Sequence, residues 1–173
     1  GIPYVLLDGR LDTTPEQIGK LARVLGTEAR GRELADYWRS RVDPLVAKIA
    51  AIPADRRPEV YYARGPQGLV TGLGGSINVE MIEFLGAVNV AGKDKGGLTN
   101  VGLEQVVLWD PEIIVTNDPN FYREVWTLPV WNSVSAVRKK RVYLSPHLPF
   151  GWFDYPPGAN RVIGLLWLAE ILY

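Results

Sequence analysis

Hydrophobic residues recur at helical spacing over the first third of the chain. The Thr-Pro-Glu triplet at residues 14–16 combines an N-cap residue, a first-turn proline and a first-turn acid, so it predicts a helix start, and Gly26 predicts the end of that helix. Thr27 predicts the start of a second, longer helix, which Pro44 should bend or break. Together they predict a helical segment of roughly 40 residues. The apolar positions of the second helix are Leu34, Tyr37, Trp38, Val42, Leu45, Val46 and Ile49.

Beyond a polar hinge at residues 53–58, short β-branched segments alternate with short helical ones. Strands are predicted at 60–63, 88–90, 112–116 and 141–145, and helices at 76–85, 103–109, 120–126, 131–137 and 158–173. The opening residues 2–7 also predict a buried strand. Such alternation is typical of a mainly parallel sheet covered on both faces. The predicted fold class is therefore α/β, a long backbone helix followed by one three-layer αβα lobe.

Composition narrows the functional classes. The 173 residues suffice for one domain with a core, and 47% are hydrophobic, as in globular proteins. Lys plus Arg equals Asp plus Glu at 19 each, so no strong field favours nucleic acid or an anionic membrane. The absence of cysteine excludes disulfides, thiolate metal sites and a cysteine nucleophile. No apolar run approaches the roughly 18 residues that a membrane-spanning helix needs.

One candidate for catalysis surrounds His147, the only histidine. Ser145, His147 and Asp154 contain the residue types of a Ser/His hydrolase with an orienting acid. However, Ser145 lies only two residues from His147 on an extended segment, and no G-x-S-x-G turn is present. The hydrolase is therefore the lesser alternative, and we expect a protein that is not an enzyme.

Two features suit an anionic ligand. The glycine-rich run Gly72–Ser76 lies between a predicted strand and a predicted helix, although it matches neither G-x-G-x-x-G nor a P-loop. Arg64 follows the strand at 60–63, and open α/β sheets bind ligands beyond the carboxyl ends of their strands. A guanidinium can bind a carboxylate, catecholate, propionate or oxyanion through two nitrogens. A surface salt bridge is the alternative role for Arg64.

An aromatic and proline-rich run, residues 148–157, precedes the last predicted helix. Prolines stiffen such a loop, so Trp152, Phe153 and Tyr155 either line a ligand cleft or cap the hydrophobic core. Glu104 lies in the first turn of the helix at 103–109. It either complements the helix dipole or docks a basic partner.

Four segments together resemble the periplasmic substrate-binding proteins that serve ABC importers of iron–siderophore, haem and cobalamin. They are Gly1–Val5 with Thr14–Gln17; Val60–Pro66 with Gly68–Thr71; Leu85–Ala91 with Leu103–Val106 and Trp109–Val115; and Trp152–Phe153 with Pro156–Pro157, Asn160, Arg161 and Trp167–Ala169. The resemblance spans the whole chain and implies half of a bilobal binding protein, a truncated fragment. Residues 1–13 would end a missing N-terminal lobe, 14–57 would form the interdomain helical segment, and 58–173 the C-terminal α/β lobe.

The resemblance implies the substrate-binding component of an ABC importer. It would capture an iron–siderophore or a related metal chelate, such as haem or cobalamin, and deliver it to the transmembrane permease subunits. The alternative within the same family is an oxyanion such as molybdate or tungstate. The implied location is periplasmic or lipid-anchored and extracytoplasmic. No cofactor is expected, because any metal would arrive with the ligand, and no nucleic acid partner is expected.

The resemblance also assigns residues to the two kinds of contact. The ligand-binding positions are Arg64, Leu69, Leu98, Asn117, His147, Phe150, Trp152 and Tyr155. Glu104 matches the carboxylate that grips arginines of the permease. Apolar surface that faced a missing lobe would be exposed, and such a surface favours a dimer of the fragment.

Overall fold

The computed structural model describes residues 2, 4–154 and 158–173. The helices are α1 (Thr14–Leu25), α2 (Glu28–Ala50), α3 (Glu80–Phe84), α4 (Leu103–Trp109), α5 (Pro119–Glu124), α6 (Ser135–Arg138) and α7 (Arg161–Leu172). The strands are β1 (Glu59–Ala63), β2 (Val70–Gly72), β3 (Val88–Asn89), β4 (Leu98–Asn100), β5 (Ile113–Thr116) and β6 (Val142–Leu144). Three-residue 3-10 helices lie at Ala54–Arg56 and Trp131–Ser133.

Helices α1 and α2 form a closely packed pair. Gly26 ends α1 with φ 64°, in the left-handed region that glycine adopts without steric cost. A Cβ at Gly31 would overlap the Cβ of Ala22, so the two helices approach each other at small residues. Helix α2 continues through Pro44, and the predicted break is wrong. The loss of one backbone hydrogen bond is outweighed by packing along the rest of a 23-residue helix.

The main sheet has four parallel strands in the order β3-β1-β5-β6. In the register, Ala63 pairs with Thr116, and Thr116 pairs with Leu144. The carboxyl ends of β1, β5 and β6 therefore meet at one edge of the sheet. The predicted mainly parallel sheet is confirmed.

Alternation along β1 divides the core between the two faces of the sheet. Tyr62 packs in a cluster with side chains of α2, α3 and α7, whereas Tyr61 packs in a second cluster with side chains of α4, α5 and α6. Both tyrosines are fully buried. Helices therefore cover both faces, and the predicted three-layer arrangement is confirmed.

The lead-in segment differs from the prediction. The described residues among 2–7 form no strand, and Ile2, Tyr4 and Leu6 are 92, 90 and 89% exposed. A strand needs a hydrogen-bonded neighbour, and none of the described strands pairs with this segment. The buried strand predicted there is therefore wrong for the described residues.

The segment between β1 and α4 also departs from the sequence pattern. Ser76 does not cap a helix, because α3 begins only at Glu80. Instead, its Oγ accepts a hydrogen bond from the backbone amide of Asn78 at 3.3 Å, and this bond closes a turn. An antiparallel pair, β2 with β4, was not predicted. Its strands have three residues each and lie among glycines, so they show too little alternation to recognise.

Candidate functional site

Three polar residues follow directly after three neighbouring strands. Arg64 follows β1, Asn117 follows β5 and Ser145 follows β6. Because these strands are parallel and end in register, the three residues lie at the carboxyl edge of the sheet. This is the edge at which open α/β sheets bind ligands.

A buried carboxylate organises this edge. Asp154 is 3% exposed, and three side chains donate hydrogen bonds to it. The Tyr62 hydroxyl donates to Oδ1 at 2.5 Å. The side-chain amide Nδ2 of Asn78 donates to Oδ2 at 2.6 Å, and Nη1 of Arg64 also donates to Oδ2. The sequence pattern indicated Asp154 only as an orienting acid for His147. The acid's position in an aromatic run was the one available signal of burial.

Arg64 is held from two sides. Its side chain is 16% exposed and forms an ion pair with Asp154, and its guanidinium carbon lies 5.6 Å from the centroid of the Tyr62 ring. Burial raises the pKa of Tyr62, and the positive charge of Arg64 lowers it by a smaller amount. The phenol therefore stays a neutral donor. The salt-bridge alternative for Arg64 is therefore realised, with a buried acid as partner. Among the described residues, Nε and Nη2 of Arg64 have no hydrogen-bond partner.

Two predicted ligand residues share a small cavity beside this network. The cavity measures about 50 Å³. It is lined by Asn117, Ser145, Pro146, His147, Gly151, Phe153 and Asp154. His147 is exposed and Asn117 is partly buried, so the imidazole and the amide are accessible to a ligand.

The aromatic loop divides between the two roles proposed for it. Phe153 is buried, with its ring centroid 4.4 Å from that of Tyr62, and caps the core. Phe150 is exposed and Trp152 is partly exposed. Tyr155, the remaining aromatic candidate, lies outside the described residues.

Leu69 and Leu98 belong to the neighbouring β2–β4 region. An isolated bridge between Arg64 and Val70 joins this region to the end of β1. Leu98 is exposed on β4, whereas Leu69 packs against the core cluster around Tyr61. Neither leucine lines the small cavity. Their contact with a ligand stays a prediction, as it does for the other cleft residues.

The glycine-rich run is not arranged to bind an anion. The Gly74 amide donates to the Asp94 carbonyl at 2.9 Å, and the Gly75 amide donates to the Glu83 carboxylate at 3.2 Å. The following α3 has only five residues. Because these amides already have acceptors and one of those acceptors is an acid, the anion-binding expectation for this loop is not supported.

Two of the three residues considered for a hydrolase, Ser145 and Asp154, are bonded elsewhere. The Ser145 hydroxyl donates to the carbonyl of Pro146 at 3.3 Å, and Asp154 is occupied by Tyr62, Arg64 and Asn78. No hydrogen bond connects Ser145, His147 and Asp154 in the described part of the chain. The described residues also contain no cluster of three or more His, Asp or Glu side chains that could hold a metal ion.

Glu104 is exposed in the first turn of α4. It forms no ion pair with any residue in the described ranges, so its carboxylate is available to a partner. None of the helices in the described ranges is long and apolar enough to cross a membrane.

A parallel sheet with helices on both faces and polar residues at its carboxyl edge is the architecture of a ligand-binding lobe. The family model for periplasmic binding proteins matches residues 2–147, and the chain belongs to this family. The resemblance inferred from the four sequence segments is thereby confirmed.

The chain spans about half the length of the relatives that it matches. The molybdate-binding protein MolA of Haemophilus influenzae is 29% identical over 94% of this chain and 46% of its own, and the molybdate-bound MolA structure superposes with a TM-score of 0.76. An ABC transporter solute binding protein from Sulfurospirillum deleyianum is 36% identical, with a TM-score of 0.90 over 95% of this chain and 52% of that one. The vitamin B12 binding protein BtuF of Vibrio cholerae, 20% identical with a TM-score of 0.79 over 98% of this chain and 64% of that one, shares the fold.

Proposed function

We propose that the protein is the substrate-binding component of an ABC importer and holds its ligand at the carboxyl edge of the sheet. The observation that carries this proposal is the gathering of Arg64, Asn117 and His147 at that edge, beside the buried Asp154. A guanidinium, an amide and an imidazole suit reversible capture of a polar solute. An extracytoplasmic location, periplasmic or lipid-anchored, accords with membership of the family.

For the ligand we propose an oxyanion of the molybdate or tungstate class. Arg64 keeps two kinds of N–H group without a partner among the described residues, and His147 and Asn117 add further donors in the cavity that Asp154, the partner of Arg64, also lines. The similarity to MolA over 94% of this chain supports the same class. The family resemblance favoured a metal chelate over an oxyanion, and the chelate is now the second candidate.

A specific observation favours that second candidate. Leu98, Leu148 and Phe150 are exposed apolar side chains on the β4 strand and the aromatic loop. Exposed apolar and aromatic surface suits a flat, partly apolar ligand such as haem, a ferric siderophore or cobalamin.

The two ligand classes are separated by direct titration of the complete gene product. Calorimetry and tryptophan fluorescence would be measured with molybdate, tungstate, sulfate, a ferric hydroxamate, haemin and cyanocobalamin. We expect saturable molybdate or tungstate binding, weakened about tenfold or more by Arg64→Gln, because a charge-assisted hydrogen bond is lost. Arg23→Gln on the exposed surface of α1 is the matched control and should leave binding unchanged. Binding of a chelate alone would reject the oxyanion, and binding of no probe would reject the transport proposal.

Glu104 is proposed to contact a basic residue of the permease. Its exposure and its lack of an ion pair in the described part of the chain support this role. Glu104→Gln should reduce substrate uptake into vesicles that contain the cognate permease and leave the ligand dissociation constant unchanged. Glu124→Gln, on exposed α5, is the control. If Glu104 only complements the helix dipole, the variant would lose up to about 1 kcal/mol of stability with no change in uptake.

A further inference from the structure

The carboxylate of Asp154 joins three separate parts of the lobe. Tyr62 and Arg64 donate to it from β1 and the residue after β1, and Asn78 donates from the turn before α3. Asp154 itself ends the described part of the aromatic loop. Both of its oxygens are engaged, and the residue is buried, so the carboxylate is shielded from water.

This network restricts Arg64 to one arrangement. An arginine side chain has many rotamers, and ordering them on ligand binding costs free energy. Here the Nη1 group is anchored by Asp154, and the guanidinium lies near the Tyr62 ring. Its remaining N–H groups, unpaired among the described residues, are held ready at the sheet edge.

The same carboxylate restrains the wall of the small cavity. The Trp152 amide donates to the Pro146 carbonyl at 3.0 Å, and the Phe153 ring packs on Tyr62. Asp154 adds a polar anchor at the next position. The loop of residues 145–154, which contributes His147 to the cavity, is therefore fastened to the sheet through Asp154.

We infer that Asp154 is a positioning residue for ligand binding: it orients the Arg64 guanidinium and holds the 145–154 loop in its binding-competent arrangement before the ligand arrives. This inference rests on the proposed function. It predicts that removing the Asp154 carboxylate weakens anion binding, the opposite of what the change in charge alone would produce. Removing a carboxylate beside a guanidinium makes the edge more positive, which by itself would strengthen anion binding. Loss of positioning weakens it instead.

A double-mutant cycle with molybdate as the probe separates these effects. Asp154→Asn should weaken molybdate binding by about tenfold when Arg64 is present and by clearly less in the Arg64→Gln background, because the effect exerted through Arg64 is then absent and only the loss of the loop arrangement remains. Additive effects of the two substitutions would overturn the inference, since they indicate a purely structural role. Tighter binding by Asp154→Asn would also overturn it, since charge would then dominate.

A matched control distinguishes a loss of positioning from a general loss of stability. Glu80 is another acid in a nearly buried ion pair with an arginine, Arg161, at 2.8 Å. Glu80→Gln should lower the urea midpoint yet leave molybdate affinity unchanged. If Asp154→Asn does not fold, Asn78→Ala removes one donor to the same carboxylate and should weaken binding by about threefold through the same loss of preorganisation.

Hydrogen exchange tests the loop without any ligand. The amides of Ser145 and Trp152, which donate to the carbonyls of Thr116 and Pro146, should exchange faster in Asp154→Asn, or in Asn78→Ala, than in the wild type and in Glu80→Gln. Unchanged exchange would overturn the inference whatever the ligand proves to be. Failure of the wild type to bind any probe would reject the proposed function and leave the exchange result to decide the positioning of the loop.

Discussion

Gly164 of α7 lies against the backbone of the aromatic loop. A Cβ at this position would overlap the carbonyl oxygen of Trp152 and lie 2.9 Å from the Cε of Met81. Backbone cannot yield as easily as the end of a flexible side chain. Residue 164 must therefore be glycine for the aromatic loop to pack against α7 in this way.

We expect Gly164→Ala to destabilise the protein by about 1–3 kcal/mol, because the added methyl group overpacks the contact with Trp152. Gly19→Ala is the matched control, since Gly19 is also helical and has open space around its Cβ position. That control should gain up to about 1 kcal/mol from helix propensity. Urea unfolding measures both changes, and equal shifts would contradict the packing argument.

A second residue-scale prediction concerns acid stability. Hydrogen bonds from the Ser135 hydroxyl and amide, at 2.7 and 2.6 Å, lower the pKa of Asp110 below its ordinary value, with smaller help from Arg138. A carboxyl with a lowered folded-state pKa stabilises the fold above its unfolded pKa, near 3.8, and loses that contribution as the pH falls through the folded value.

Asp110→Asn should therefore be less stable than the wild type at neutral pH, and the difference should shrink as the pH falls below about 4. Asparagine suits the left-handed backbone at this position, where φ is 43°, so the change mainly removes the charge. Denaturant unfolding at several pH values measures the difference. A gap that stays constant from neutral pH to strong acid would exclude this role for the carboxylate.

At the scale of elements, α2 shows how packing overrides a local signal. Pro44 lies inside the helix and is exposed, and three buried residues, Trp38, Val42 and Ile49, join the core on the sheet face that contains Tyr62. The helix therefore keeps its course although position 44 lacks an amide donor. The proline remains an unfavourable residue at that position.

Pro44→Ala should stabilise the protein by about 1–3 kcal/mol, because it restores a backbone hydrogen bond inside α2 and removes the steric conflict of the ring. Pro15→Ala, in the first turn of α1, should give little or no gain, since no intrahelical bond is missing there. Thermal unfolding compares the two. A gain at Pro15 equal to that at Pro44 would point to an effect on the unfolded chain.

At the scale of the whole molecule, the exposed apolar lead-in segment is the main feature without a partner in the described part of the chain. Ile2, Tyr4 and Leu6 are almost fully exposed, whereas large apolar side chains in such numbers usually mark an interface. The dimer suggested by the sequence analysis remains a prediction, and this segment is its natural contact.

The 173-residue chain by itself should self-associate as its concentration rises, which sedimentation velocity measures directly. Replacing Tyr4 and Leu6 by serine should shift the population to monomer, because the apolar area available for burial falls. Leu128→Ser, at a less exposed leucine outside this segment, is the control. A wild-type chain that stays monomeric at every concentration would disprove the dimer.

Much of the fold followed from local pattern. Segments such as Val60–Ala63 and Ile113–Thr116 are β-branched or aromatic and bounded by turn residues, and they form buried neighbouring strands. Their alternation with amphipathic helices indicated the layers, because burial imposes a periodicity that any short window of sequence records. It also indicated the edge where Arg64 lies, whereas Asn117 was assigned through the family resemblance. By contrast, the helix start predicted at Ser76 is wrong, because its hydroxyl accepts a hydrogen bond within a turn instead of capping a helix.

Tertiary structure alone decided how the edge is organised. Asp154 meets Tyr62, Arg64 and Asn78 across separations of 92, 90 and 76 residues. No local pattern records such a meeting, because it depends on the path of the whole chain. Sequence determined the buried strands that end at Ala63 and Thr116, since those follow from side-chain polarity and spacing. The partners of the buried carboxylate, and hence the availability of the guanidinium, depended on packing between distant segments.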